Sequence, residues 1–138
     1  MKCFKLNHDL SFNSNQTIDA KLIPDDKGVE IRIADRGRNK VVITTEWLSE
    51  GEHWDDPTAR VLSSLCVGLW NLLEVSRTSN IDYNSLIICT SLQRLRHALR
   101  NHQIYFNESR LVRKKNFHVL KLLSFINYQN LEVVADEN

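Results

Sequence analysis

The 138 residues are 42% hydrophobic and 25% charged, with a formal net charge of +1; this is the balance of one folded domain of ordinary size, and it excludes a disordered or fibrous chain. No apolar run approaches the ~20 residues needed to span a bilayer. The N-terminal Met1-Lys2-Cys3-Phe4-Lys5-Leu6-Asn7-His8-Asp9 lacks the apolar centre of a signal peptide. Three cysteines, none of them in a C-x-x-C, then predict reduced thiols in a cytoplasmic protein, with Cys66 and Cys89 buried as small hydrophobes.

Residues 1–22 open with the short run Cys3–Leu6, a candidate strand, then a polar loop to Thr17. Ile18, Ala20 and Leu22 alternate with Asp19 and Lys21, the period of a half-buried strand. Pro24-Asp25-Asp26-Lys27-Gly28 is turn chemistry. Val29, Ile31 and Ile33 form a second alternating strand, and after the turn Asp35–Asn39 the β-branched stretch Lys40–Thr45 predicts a third. The N-terminal third therefore reads as an antiparallel meander.

Asp56-Pro57 supplies an N-cap and an N1 proline. From Ala59 onward, Val61, Leu62, Leu65, Cys66, Leu69, Trp70, Leu72 and Leu73 fill about half of a helical wheel at 100° per residue. Arg60, Ser64, Asn71, Glu74 and Thr78 occupy the other side. The spacing predicts a long helix over 57–77, laid on the sheet, with Leu65, Leu69, Leu72 and Leu73 nearly inaccessible. Leu86-Ile87-Ile88-Cys89-Thr90 reads as a buried strand, and Thr90 or Ser91 as the cap of a helix to about His102. Residues 103–106 and 110–113 suggest a hairpin around Asn107-Glu108-Ser109, residues 116–128 a helix, and Leu131–Val134 a last short strand. The expected fold class is α+β in a single domain over 1–138: an antiparallel meander packed on a long amphipathic helix, then a βα unit and a further C-terminal helix.

Signatures of chemistry are sparse. Four scattered glycines, Gly28, Gly37, Gly51 and Gly68, cannot build a phosphate-cradling loop, and no G-x-S-x-G elbow occurs. Cys89 with His97 is the conceivable nucleophile pair, and burial is the simpler role for that thiol. The acidic group Glu50, Glu52, His53, Asp55 and Asp56 suits the positive end of the following helix better than a metal. His97 and His102 point about 140° apart on a helix, a poor chelating pair. Trp54 is a candidate pocket wall, while Trp47 and Trp70 read as core. No cofactor and no metal ligand are expected, and the chain is expected not to be an enzyme.

One feature stands above the background. Residues 91–121 carry Arg94, Arg96, Arg100, Arg110, Arg113, Lys114, Lys115 and Lys121 against Glu108 alone, a charge of +7, while residues 1–60 sum to −2, residues 61–90 to −1 and residues 122–138 to −3. The expected binding face is Arg94, Arg96, His97 and Arg100 on the helix with Arg113, Lys114 and Lys115 beyond it. Two readings follow. The first is a small non-catalytic accessory protein of inhibitor, immunity or adaptor type, meeting an acidic protein partner through 91–121, with room for a homodimer and no membrane role. The alternative is a nucleic-acid-binding regulator of winged-helix type, with 91–102 as recognition helix and 103–115 as wing. The near-zero net charge favours the first, because it gives no global attraction to nucleic acid.

Overall fold

Alternation of apolar and polar side chains sets the first strands, in a computed structural model that describes residues 18–35, 40–46, 56–103 and 108–135. β1 (Ile18–Pro24) and β2 (Gly28–Asp35) pair antiparallel with Leu22 opposite Ile31, and β3 (Lys40–Glu46) continues the meander. The connecting turn closes on Asp25: its carboxylate accepts the amides of Lys27 at 2.7 Å and Gly28 at 2.8 Å. Ile18, Ala20 and Leu22 of β1 and Val29, Ile31 and Ile33 of β2 turn to one face and are fully buried.

That face is covered by α1 (Pro57–Ser79), which starts where the sequence says it should. Asp56 accepts the Ala59 amide at 3.1 Å, Pro57 occupies the first turn, and Asn80 closes the helix in the left-handed conformation with φ 52°. Gly68 sits where the helix comes nearest to the sheet, and a Cβ built there would lie 3.0 Å from Leu22 Cδ2. β4 (Tyr83–Cys89) then enters beside β1 in parallel, with Ile88 opposite Leu22. α2 (Gln93–Arg100) and α3 (Arg110–Phe125) carry the chain across to β5 (Tyr128–Val134), parallel to β4. The sheet has five strands in the order β3-β2-β1-β4-β5. One hydrophobic cluster joins β1, β2, β4 and β5 to α1, α2 and α3.

The α+β class, the meander, the long helix, the βα unit and the further helix are all present. Several details differ, among them the helix expected over 116–128, which runs over Arg110–Phe125 and leaves Tyr128 to open β5. Leu73 is only partly buried. Ser64 and Asn71, expected on the solvent side of α1, are buried on the side of the helix that carries Gly68 against the sheet; Ser64 donates to the carbonyl of Asp25 in the β1–β2 turn at 2.8 Å and Asn71 to the Val67 carbonyl at 2.8 Å. Residues 110–113 are the first turn of α3 and not a hairpin strand, so the wing over 103–115 is not formed; Ser109 caps the helix by accepting the Val112 amide at 3.2 Å. With 83–89 a strand, the helical arrangement of a winged helix is absent as well. The candidate strand Cys3–Leu6 and the residues Trp47, Glu50, Glu52, His53, Trp54 and Asp55 lie outside the described residues.

Candidate nucleic-acid interface

The seven expected binding residues divide into two groups. On α2, apolar positions Leu95, Ala98 and Leu99 face the core, which turns the arginines to the rim of the sheet. There the guanidiniums are engaged by the protein itself. Arg96 Nη1 donates to the Thr90 carbonyl at 2.6 Å, and Arg100 Nε donates to the Val133 carbonyl at 3.0 Å, with its Nη2 on the same oxygen. These bonds hold α2 across the ends of β4 and β5. Arg94 pairs with Glu108 at 2.6 Å, so the single acidic residue of the basic segment is neutralised by an exposed α2 cation. His97 remains exposed beside Asn101. Thr90 Oγ1 accepts the Leu92 amide at 3.2 Å just ahead of the helix, whereas Leu92, the N-cap itself, offers no capping side chain.

α3 presents the other group. Val112, Asn116, Val119 and Leu123 form its buried stripe. The opposite stripe, at steps of three and four residues, exposes Arg110, Arg113, Lys114, Phe117, His118, Lys121 and Phe125. The helix contains no acidic residue, and among the described residues no ion pair engages Arg110, Arg113, Lys114 or Lys121. Lys115 turns away from its neighbours: it is half-buried against α1, close enough to Cys66 for its charge to act on that thiol. Burial outweighs that charge and pushes the Cys66 thiol up from 9.0 to about 11. Cys66 and Cys89 are both free and buried.

Sequence reasoning missed Phe117, His118 and Phe125. Their signal was present in the alternation of cations and aromatics at helical spacing, masked because Asn116 occupies a core position and the two phenylalanines do not.

At the carboxyl ends of β1 and β4 the nearby carboxylates are already committed. Asp25 holds its turn, Asp56 caps α1, and Asp26 pairs with Arg60 at 3.6 Å. Among the described residues no three His, Cys, Asp or Glu side chains come together in a way that could hold a metal ion. No helix among them is long and apolar enough to cross a membrane.

No protein family and no curated protein matches the chain. Among solved structures it is similar to the crystal structure of RNase H1 from the halophilic archaeon Halobacterium salinarum NRC-1, with a TM-score of 0.50 over 85% of this chain and 86% of that one, at 12% identity. At that identity the likeness is one of fold. It overturns the expectation of a non-catalytic accessory protein acting by protein contact, and with it the expectation that the chain is not an enzyme: the fold is one on which a ribonuclease is built.

Proposed function

We propose that this protein binds nucleic acid through the basic outer face of α3, on a ribonuclease H-like scaffold. The observation that carries the proposal is the stripe Arg110, Arg113, Lys114 and Lys121, four cations unpaired among the described residues on a helix with no acid. Phosphates gain most from such a surface, because each contact releases condensed counterions. The near-zero net charge of the whole chain is no obstacle, since the local density of like charge sets the field that a strand meets. Arg113 and Lys114 are the binding residues retained from the sequence; Arg96 and Arg100 hold the fold together. Cytoplasmic residence belongs to this reading, and RNA is the first ligand to test because the matched structure is an RNase.

Fluorescence anisotropy with labelled single-stranded and duplex RNA and DNA at about 50 mM salt tests it. Binding that weakens steeply with salt is expected. The double variant Arg113→Ala/Lys114→Ala should flatten the slope of log affinity against log salt by about 1.4–1.8. Absence of binding to every probe, or a slope the double variant leaves unchanged, refutes the proposal. Phosphodiester cleavage of the RNA probe is scored on a denaturing gel in the same samples.

A further inference from the structure

The exposed face of α3 holds more than charge. Phe117 is 53% exposed and Phe125 58%, the two largest exposed apolar side chains among the described residues. A soluble domain tolerates single exposed apolar groups, but these two stand on one stripe of one helix, framed by cations. Arg113 and Lys114 lie one turn before Phe117. His118 and Lys121 lie between Phe117 and Phe125. The eight-residue separation of the rings corresponds to about 12 Å along the helix axis.

We infer that this face is a stacking track for single-stranded nucleic acid, with Phe117 and Phe125 as platforms for two unpaired bases and Arg113, Lys114 and Lys121 on the phosphates that join and flank them. The inference rests on the nucleic-acid reading above and narrows it to unpaired strands. In a duplex the base faces are already stacked, so an exposed phenyl ring has nothing to cover; in a single strand each base offers its own face. Cations alone would suit either form. The alternation of cation and ring along one stripe selects the single strand, because it supplies base contact and phosphate contact at neighbouring steps of the same helix. Charge complementarity commits the face to a polyanion, and the rings commit it to one with accessible aromatic faces.

The test uses the full chain and labelled single-stranded RNA and DNA oligonucleotides of about 15 nucleotides, alongside their duplexes. Single strands are expected to bind more tightly than duplexes. Phe117→Ala and Phe125→Ala should each weaken single-strand binding about tenfold and leave duplex binding unchanged. Because both side chains are exposed, unchanged thermal unfolding verifies that the variants fold. Phe117→Leu, which keeps apolar bulk without the ring, should bind like the alanine variant. Phe117→Trp should retain affinity and lose indole fluorescence when a strand binds.

Equal losses for single strands and duplexes, or no loss on either alanine substitution, would sink the stacking track while leaving the nucleic-acid reading intact. Absence of binding to all probes removes both. Anionic phosphatidylserine vesicles serve as the competing polyanion. Sedimentation of the protein with them, abolished by Phe117→Ala, together with no single-strand binding, would assign the face to a lipid surface instead.

Discussion

Gly68→Ala places the packing of α1 against the sheet under direct test. In an exposed helix this substitution stabilises by about 0.8–1 kcal/mol, because alanine has the higher helix propensity. Here the added Cβ meets Leu22 Cδ2 at 3.0 Å, Val29 Cγ2 at 3.1 Å and Leu22 Cδ1 at 3.3 Å. Carbon atoms are comfortable at about 3.5–4.0 Å, so all three contacts are too short, two of them by roughly half an ångström. Leu22 is 0% exposed and Val29 2%, so neither can swing into solvent. Rotating the Leu22 isobutyl group exchanges one crowded methyl for the other. Relief must come from α1 moving off the sheet, which loosens Leu65, Leu69 and Leu72, or from strained rotamers, and overpacking of this kind costs about 1–3 kcal/mol. The cost exceeds the propensity gain, and a net loss of about 1 kcal/mol is expected. Urea unfolding followed by circular dichroism measures it, with a fall in Tm of about 4 °C as the thermal counterpart. Trimming Val29 to alanine in the same chain should recover part of the loss, so the double variant should be more stable than the sum of the singles predicts by about 1 kcal/mol. A Gly68→Ala protein more stable than wild type, with additive behaviour in the cycle, would show that α1 does not approach β1 and β2 this closely.

Arg100→Ala should lower stability by about 1–2 kcal/mol through loss of the bonds to the Val133 carbonyl, and speed amide exchange in β5. It should leave nucleic-acid affinity close to wild type, whereas Arg113→Ala should do the reverse. Leu69→Ala, at a site 0% exposed, should cost about 2–5 kcal/mol in the same urea assay. Native Cys66 and Cys89 should react with a thiol reagent at neutral pH only as fast as the protein unfolds. Burial holds the Cys66 thiol at about 11 against 9.0 when unfolded, so the folded state favours the neutral form. Its contribution to stability is complete below pH 9 and is lost progressively between pH 9 and about pH 11. Burial likewise raises the Tyr83 phenol, which donates to the Leu72 carbonyl at 2.6 Å, and this adds to the alkaline loss. Cys66→Ala should flatten the pH 9–11 part of the unfolding profile, and a wild-type profile already flat there would contradict the burial of that thiol.

The strands and the long helix were legible because their signals are local. Alternation in Ile18, Ala20 and Leu22, turn chemistry at Asp25 and Gly28, and the Asp56-Pro57 helix start each need only neighbours in the chain. The residues themselves also supplied the concentration of charge in 91–121. The sequence could not say which side of a helix another element covers. Ser64 and Asn71 are polar yet buried because that side of α1 lies on the sheet, where Ser64 reaches the carbonyl of Asp25, 39 residues away in the chain. The docking of α3 places Asn116 in the core and leaves Phe117 and Phe125 outside, which breaks the apolar period on which recognition of the helix depends. Tertiary structure likewise decided which cations are available. Arg96 is held by the carbonyl of Thr90 six residues before it, but nothing local to Arg100 announces the carbonyl of Val133, 33 residues on, which reaches it only once β4 and β5 are aligned in the sheet. A charge becomes a surface for a ligand only where folding leaves it without a partner, and that is fixed by contacts between distant residues.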